Sequence, residues 1–238
     1  MCKRFYDFLA SNGIEFFTGV PDSLLKDFCS YVTDNTTANN NIIAANEGYA
    51  VALATGYYIA TGKFGMVYIQ NSGLGNAINP LTSLADEDVY SIPMILLVGW
   101  RGEPGVKDEP QHTKMGKITL GMLENIGVPY KILDDNFKSI INEAKEYMEH
   151  KKAPYAIVVR KNTFEEYNLK NEKQTSYELN REEALKIIVP LLNEKDIIVS
   201  TTGKTSRELF ELREVNSQGH NKDFLTVGCM GHSSSIAL

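Results

Sequence analysis

The chain has 238 residues, a formal net charge of -6 and 43% hydrophobic residues, enough for one large or two modest domains with real cores. That charge and the lack of a basic patch argue against a nucleic-acid binder. Its apolar runs, such as Ile92 to Val98, are too short to span a bilayer.

The start of the chain has no signal-peptide core. Cys2, Cys29 and Cys229 form neither a disulfide framework nor a metal cluster, so the expectation is a cytoplasmic, reduced protein. Phe5 to Ser11 reads as a helix stopped by Asn12-Gly13, and Ile14 to Val20 as a strand. Pro21 is expected to open a helix, because its preset φ suits a first helical turn. Asn41 to Ala45 is a short strand feeding a helix that runs from Glu47 to about Thr61-Gly62.

Phe64 to Gln70 and Ile92 to Trp100 are continuous apolar runs, as in strands buried on both faces. Residues 137–150 read as a helix and Ala156 to Val159 as a strand. This βαβ alternation predicts an α/β fold, a doubly wound and mostly parallel sheet with ligands at the carboxyl ends of its strands. Residues 1–162 form the expected first domain and the polar stretch 163–180 a linker. From 181 to 238 a second α/β domain begins and is expected to be cut short: Arg181 to Leu192 helical, Asp196 to Ser200 a strand, Lys204 to Leu212 a helix, and Phe224 to Val227 a strand.

One acidic side chain, Glu47, sits in the apolar stretch from Ile42 to Gly56. An ionised carboxylate there is costly unless paired or protonated. Ala44, Ala45, Gly48, Ala50, Ala52 and Ala54 would let a flat ring or another backbone come close. That setting suits a heteroaromatic cofactor with a basic ring nitrogen. It also suits an N-cap Asn46 followed by a first-turn acid favoured by the helix dipole. Thr202-Gly203-Lys204-Thr205-Ser206 fails as a Walker A loop, since position 198 is isoleucine; what remains is a strand, a glycine turn and a helix N-terminus.

Four segments come in a fixed order: Gly19-Val20-Pro21-Asp22-Ser23, Asn46-Glu47-Gly48, Gln70-Asn71-Ser72-Gly73-Leu74-Gly75-Asn76, and Gly99 to His112. In order and spacing they resemble the pyrimidine-binding half of thiamine-diphosphate-dependent 2-oxo acid decarboxylases. The likeness is nearest to those acting on phosphonopyruvate, and next to those acting on sulfopyruvate. It covers residues 1–160 and continues more weakly to the end.

The resemblance implies a role for each motif. Glu47 would share a proton with the aminopyrimidine ring and so prepare the thiamine diphosphate for attack on the keto carbon. Asn71 and Gly73 would line the pyrimidine. Asp22 is either an early-helix acid or the residue that manages the substrate carboxylate, and Ser23 either meets substrate anions or satisfies a backbone amide. His112 would be an acid/base group near the substrate. Gln111 lies on the same loop, as do Arg101 and Lys107, which would offset a phosphonate or sulfonate charge. Arg101 is the better match to such an oxyanion.

In the second domain, Thr202, Gly203, Lys204 and Thr205 would lie near the diphosphate. Met230 would wedge between the cofactor rings, and the Gly228 carbonyl would accept from the exocyclic amine. The Gly-Asp-Gly segment with which the family binds magnesium is missing from these residues, so the chain is expected to be a fragment. The implied reaction converts phosphonopyruvate to phosphonoacetaldehyde and carbon dioxide, in phosphonate biosynthesis, with sulfopyruvate as the alternative substrate. The implied assembly is a homo-oligomer, at least a dimer, centred on the Glu47 helix. A reading from another class is a non-catalytic binding or assembly subunit.

Overall fold

The structure, a computed structural model, describes residues 1–171 and 176–238. The chain divides into two compact units, Met1–Glu172 and Lys173–Leu238.

The first unit is a sheet of six parallel strands in the order β2-β1-β3-β4-β6-β5. The strands are β1 (Phe16–Gly19), β2 (Asn41–Ile43), β3 (Gly65–Gln70), β4 (Met94–Gly99), β5 (Tyr130–Ile132) and β6 (Tyr155–Val159). Six helices accompany them: α1 (Cys2–Ser11), α2 (Lys26–Asn35), α3 (Glu47–Thr61), α4 (Leu74–Pro80), α5 (Thr113–Asn125) and α6 (Phe137–Lys151).

Both faces of the sheet are covered, which is why β3 and β4 read as unbroken apolar runs. Met66, Tyr68, Ile95 and Leu97 join one core with Phe5, Leu9, Phe28 and Ile141. Val67, Ile69, Leu96 and Val98 join the other with Val51, Ala54, Leu74 and Leu123. Full burial of each such side chain stabilises the fold by about 1.5–3 kcal/mol.

Local signals set the ends of α3. The Asn46 side chain accepts from the Tyr49 amide at 3.0 Å, and Gly62 closes the helix with φ of 70°, a conformation glycine adopts without strain. At α2 the local signal loses. Pro21 does not open that helix, which starts at Lys26. Asp22 and Leu25 are both pulled into the interior first, so tertiary packing outweighs the proline preference. Helices α4 and α5 and strand β5 are additions to the sequence expectation.

The segment expected to link the domains begins packed on the first unit. Phe164 stacks on Phe28 with ring centroids 5.1 Å apart. Asp34 accepts from the Tyr167 hydroxyl and from the Lys170 and Asn171 amides. Residues 172–175 of that expected linker lie outside the described residues.

In the second unit, β7 (Ile198–Ser200) and β8 (Asp223–Leu225) pair in parallel. Around them run α7 (Arg181–Ile188), α8 (Lys204–Val215) and α9 (Ser233–Ala237). A capping box between Asn180 and Glu183 starts α7. Arg181 grips Glu208 with two hydrogen bonds of 2.6 Å, and Arg213 grips the buried Asp223.

Candidate active site

Strand β1 neighbours both β2 and β3. The chain therefore leaves β1 in one direction and comes back to pair on its other side, which opens a crevice at the carboxyl ends of the strands. The loops after β1, β2, β3 and β4 carry Asp22, Glu47, Asn71 and Arg101 respectively. All four expected motifs thus arrive at one end of one sheet.

Glu47 is the first residue of α3 and is only 6% exposed. Its Oε2 accepts from Asn76 Nδ2 at 2.8 Å. A Cβ placed on Gly73 would stand 2.2 Å from Oε1, and one on Gly48 would stand 2.9 Å from the Asn76 carbonyl oxygen. The two glycines let α3 and α4 approach closely enough for Asn76 to hold the carboxyl group. The sequence reading gives Asn76 no role. A signal for it is nonetheless present, since Gly73 and Asn76 are three residues apart where the chain turns helical, and so share a face.

Asp22 is 5% exposed, and both Oδ atoms are buried without a hydrogen-bond partner. The amides of Leu24, Leu25 and Ser23 and the Arg101 guanidinium favour its ionised form. Burial outweighs them and pushes the carboxyl up to about 6. Those amides act at longer range, since none reaches hydrogen-bonding geometry with the side chain. A Cβ on Gly99, at the end of β4, would stand 2.2 Å from Asp22 Oδ2.

Arg101 is committed within the loop. Its Nε donates to Asp108 Oδ2 at 2.8 Å, its Nη2 donates to Asp108 Oδ1, and its Nη1 donates to Ser23 Oγ at 2.7 Å. Asp108 also accepts from the Gly102 amide at 2.8 Å. Its carboxyl is held well below the usual range, first by Arg101.

Asn71 points inward and is fully buried. Its Nδ2 donates at 2.8 Å to the Arg101 carbonyl and to Thr119 Oγ1, while its Oδ1 accepts from the Arg101 amide at 3.2 Å. The turn Asn71–Gly73 therefore joins the two groups: Asn71 staples Arg101, and Gly73 lies against Glu47. His112 is half-buried, ends the turn Pro110–His112 and is shifted down chiefly by burial, then by Arg101. Lys107 and Gln111 are exposed on the loop.

Within the second unit, the ends of β7 and β8 open onto a cleft of about 170 Å³ lined by Thr202, Thr226, Cys229 and Met230. Gly203, with φ of 82°, turns the chain into α8, which begins at Lys204 and Thr205. Met230 is 52% exposed and Gly228 part-buried. Among the described residues, no group of three or more His, Cys, Asp or Glu side chains is arranged to hold a metal ion.

Residues 2–121 match the family model described as thiamine pyrophosphate enzyme, N-terminal TPP binding domain. The chain belongs to the thiamine pyrophosphate enzyme family. Within that family it is 30% identical to a phosphonopyruvate decarboxylase of Streptomyces viridochromogenes, over 97% of this chain and 60% of that protein. It is 32% identical to the sulfopyruvate decarboxylase subunit alpha of Methanococcus maripaludis, over 65% of this chain and 90% of that subunit. The chain spans 60% of the length of the phosphonopyruvate decarboxylases it matches.

Among solved structures, the thiamine diphosphate-dependent 4-hydroxybenzoylformate decarboxylase of Rhodococcus jostii aligns with a TM-score of 0.51 at 19% identity. That alignment covers 80% of this chain and 37% of the other, and speaks for the fold. No helix among the described residues is long and apolar enough to cross a membrane.

Proposed function

We propose that this chain carries the pyrimidine-binding half of a thiamine-diphosphate-dependent decarboxylase whose substrate is phosphonopyruvate, released as phosphonoacetaldehyde and carbon dioxide. The observation that carries the reading is Glu47: a buried acid with Oε2 held by Asn76 and Oε1 against the bare face of Gly73. These residues fit the pyrimidine side of the cofactor, which needs a proton-sharing acid and a close, side-chain-free approach.

Glu47 would hold the shared proton, and Asn76 would fix the orientation of its carboxyl group. When bound, the cofactor supplies the carbon nucleophile and the electron sink for decarboxylation. Asp22, on the neighbouring loop and unpartnered, would manage the proton near the substrate carboxylate, with His112 as a second acid/base group. Ser23, Arg101, Lys107 and Gln111 would surround the substrate. Asn71 would act through Arg101 as a positioning residue.

In the second unit, Thr202, Gly203, Lys204 and Thr205 would lie toward the diphosphate. Gly228 and Met230 would lie toward the rings; that Thr202 and Met230 line one cleft supports this. Magnesium belongs to this reading as the diphosphate's partner. The described residues offer it no ligand set, so it carries no step. A cytoplasmic setting goes with three cysteines that are all free thiols.

Sulfopyruvate is the second substrate reading, favoured by the 90% coverage of the alpha subunit. The place in phosphonate biosynthesis follows the first substrate. The partner we propose is a second copy of the chain, docked on α3. A groove of about 730 Å³ beside that helix is lined by Ile42, Ile43, Tyr49, Ala52, Leu53 and Gly56. Ile43 and Tyr49 are more than half exposed there, an apolar surface that a two-fold copy would cover.

Glu47→Gln tests the function. In the complete holoenzyme it is expected to abolish carbon dioxide release from phosphonopyruvate while circular dichroism stays unchanged. Retention of more than about a tenth of the wild-type rate, a barrier change of only ~1.4 kcal/mol, would refute the role.

A further inference from the structure

Arg101 is the residue whose chemistry best suits a substrate oxyanion, yet its fork is closed on Asp108. The cleft beside it, of about 270 Å³, presents Asp27, Glu103 and Asp108 to Arg101 and Lys161. A dianion entering there meets three carboxylates. Across Ser23 lies a different pocket, of about 330 Å³, lined by Asp22, Ser23, Lys26, Ser30, Thr33 and Tyr68. Its volume is at the lower end of small-molecule sites.

Lys26, Ser30 and Thr33 are spaced i, i+4 and i+7 on α2, so they line one face of the helix. Lys26 is the first residue of that helix, and Leu25 before it has no side chain able to cap the opening amides. The positive end of the helix dipole and the ammonium group therefore coincide. A second, independent feature points to a ligand. Asp22 lines the same pocket, and its carboxyl group is buried behind the lining with no partner on either oxygen. A buried polar group without a partner is rare enough to need an explanation. Among the described residues Asp22 is also the only acidic residue lining the pocket. Burial pushes its carboxyl up to about 6, and a neighbouring oxyanion would raise it further, so Asp22 takes up a proton instead of repelling the anion.

We propose that this pocket seats the tetrahedral oxyanion at the far end of the substrate, with Lys26 as its charge partner and Ser23 and Ser30 as hydrogen-bond donors. Lys26 is thus the specificity-determining residue that separates a 2-oxo acid carrying a second, distal oxyanion from pyruvate, which has only its carboxylate. The identity of the substrate rests on the proposed function, whereas the anion preference of the pocket does not.

The test titrates the 238-residue chain, without cofactor, with methylphosphonate and in parallel with methanesulfonate, followed by ³¹P and ¹H NMR respectively. Saturable binding of at least one of them is expected, the tighter one naming the distal group of the substrate. Lys26→Met is expected to weaken it about tenfold or more, and Lys26→Arg to retain it. Because Lys26 is exposed, the variant should fold, which Trp100 fluorescence checks. No saturable binding of either anion below ~10 mM, or equal binding by wild type and Lys26→Met, overturns the proposal.

A second arm uses the active holoenzyme with phosphonopyruvate and pyruvate. Lys26→Met should raise KM for the first about tenfold and leave that for pyruvate within about twofold; an equal change for both overturns the proposal. Lys26-dependent anion binding by a chain whose holoenzyme decarboxylates neither acid keeps the pocket and removes the decarboxylase reading.

Discussion

Gly73→Ala offers a direct test of how the Glu47 carboxyl group is held. The new Cβ would stand 2.2 Å from Oε1 and 2.4 Å from both Cδ and Cγ of Glu47. Contacts so short force a shift, and the carboxyl group has few places to go. It is nearly buried and tied to Asn76 at 2.8 Å. Turning it away costs a hydrogen bond to a charged group, about 1.5–3 kcal/mol, plus about 0.5–1.5 kcal/mol for an off-rotamer side chain. The expected destabilisation is about 2–4.5 kcal/mol.

Trp100 is the sole tryptophan of the chain and lies in the first unit, so its fluorescence during urea unfolding reads the unit that carries Glu47. Glu47→Ala removes all three atoms the new methyl group would meet. In that background Gly73→Ala should cost less than about 0.5 kcal/mol, giving a coupling of about 1.5 kcal/mol or more. Equal costs in both backgrounds would mean that the methyl group strains something other than Glu47, and the reasoning would be refuted.

Asp22→Asn should remove a pH dependence. With the folded carboxyl near 6 and an ordinary value of 3.8, the folded state binds more protons between those limits. Wild-type stability therefore falls as pH rises through that window, by about 2–3 kcal/mol. Urea unfolding at pH 4.5 and pH 7.5 measures it, and an equal drop in wild type and variant contradicts the assignment. Asp108 has the opposite sign. Its folded carboxyl is lowered by Arg101, so its contribution is full above the ordinary carboxylate range and is lost as pH falls below it. Asp108→Asn should cost about 2 kcal/mol at neutral pH and flatten the acid side of the stability curve. An unchanged unfolding midpoint in urea would speak against it. For the assembly, Tyr49→Asp on the exposed face of α3 should shift the sedimentation of the complete protein toward monomer, and an unaltered dimer would exclude that face.

The sheet is legible in the amino-acid sequence because its signals are local. Phe64 to Gln70 and Ile92 to Trp100 alternate between two buried faces, so hydrophobicity is continuous along each run. The ends of α3 follow from Asn46 and Gly62, each acting within four residues of itself. The positions of Asp22, Glu47 and Asn71 at strand ends follow from the same pattern, since parallel βαβ units put every such loop on one edge. What those side chains do there is decided by partners distant in sequence. Asn76 reaches Glu47 across 29 residues, Asn71 reaches Arg101 across 30, and Arg101 reaches Ser23 across 78. The late start of α2 has the same origin: burial of Asp22 and Leu25 outweighs a local proline preference. Arg101 shows the limit most plainly. Its sequence position advertises an anion-binding fork, but only the folded loop brings Asp108 round to occupy it. A sequence pattern fixes which edge of the sheet a side chain comes to, whereas its partner is chosen by the packing of loops that meet only after the sheet has formed.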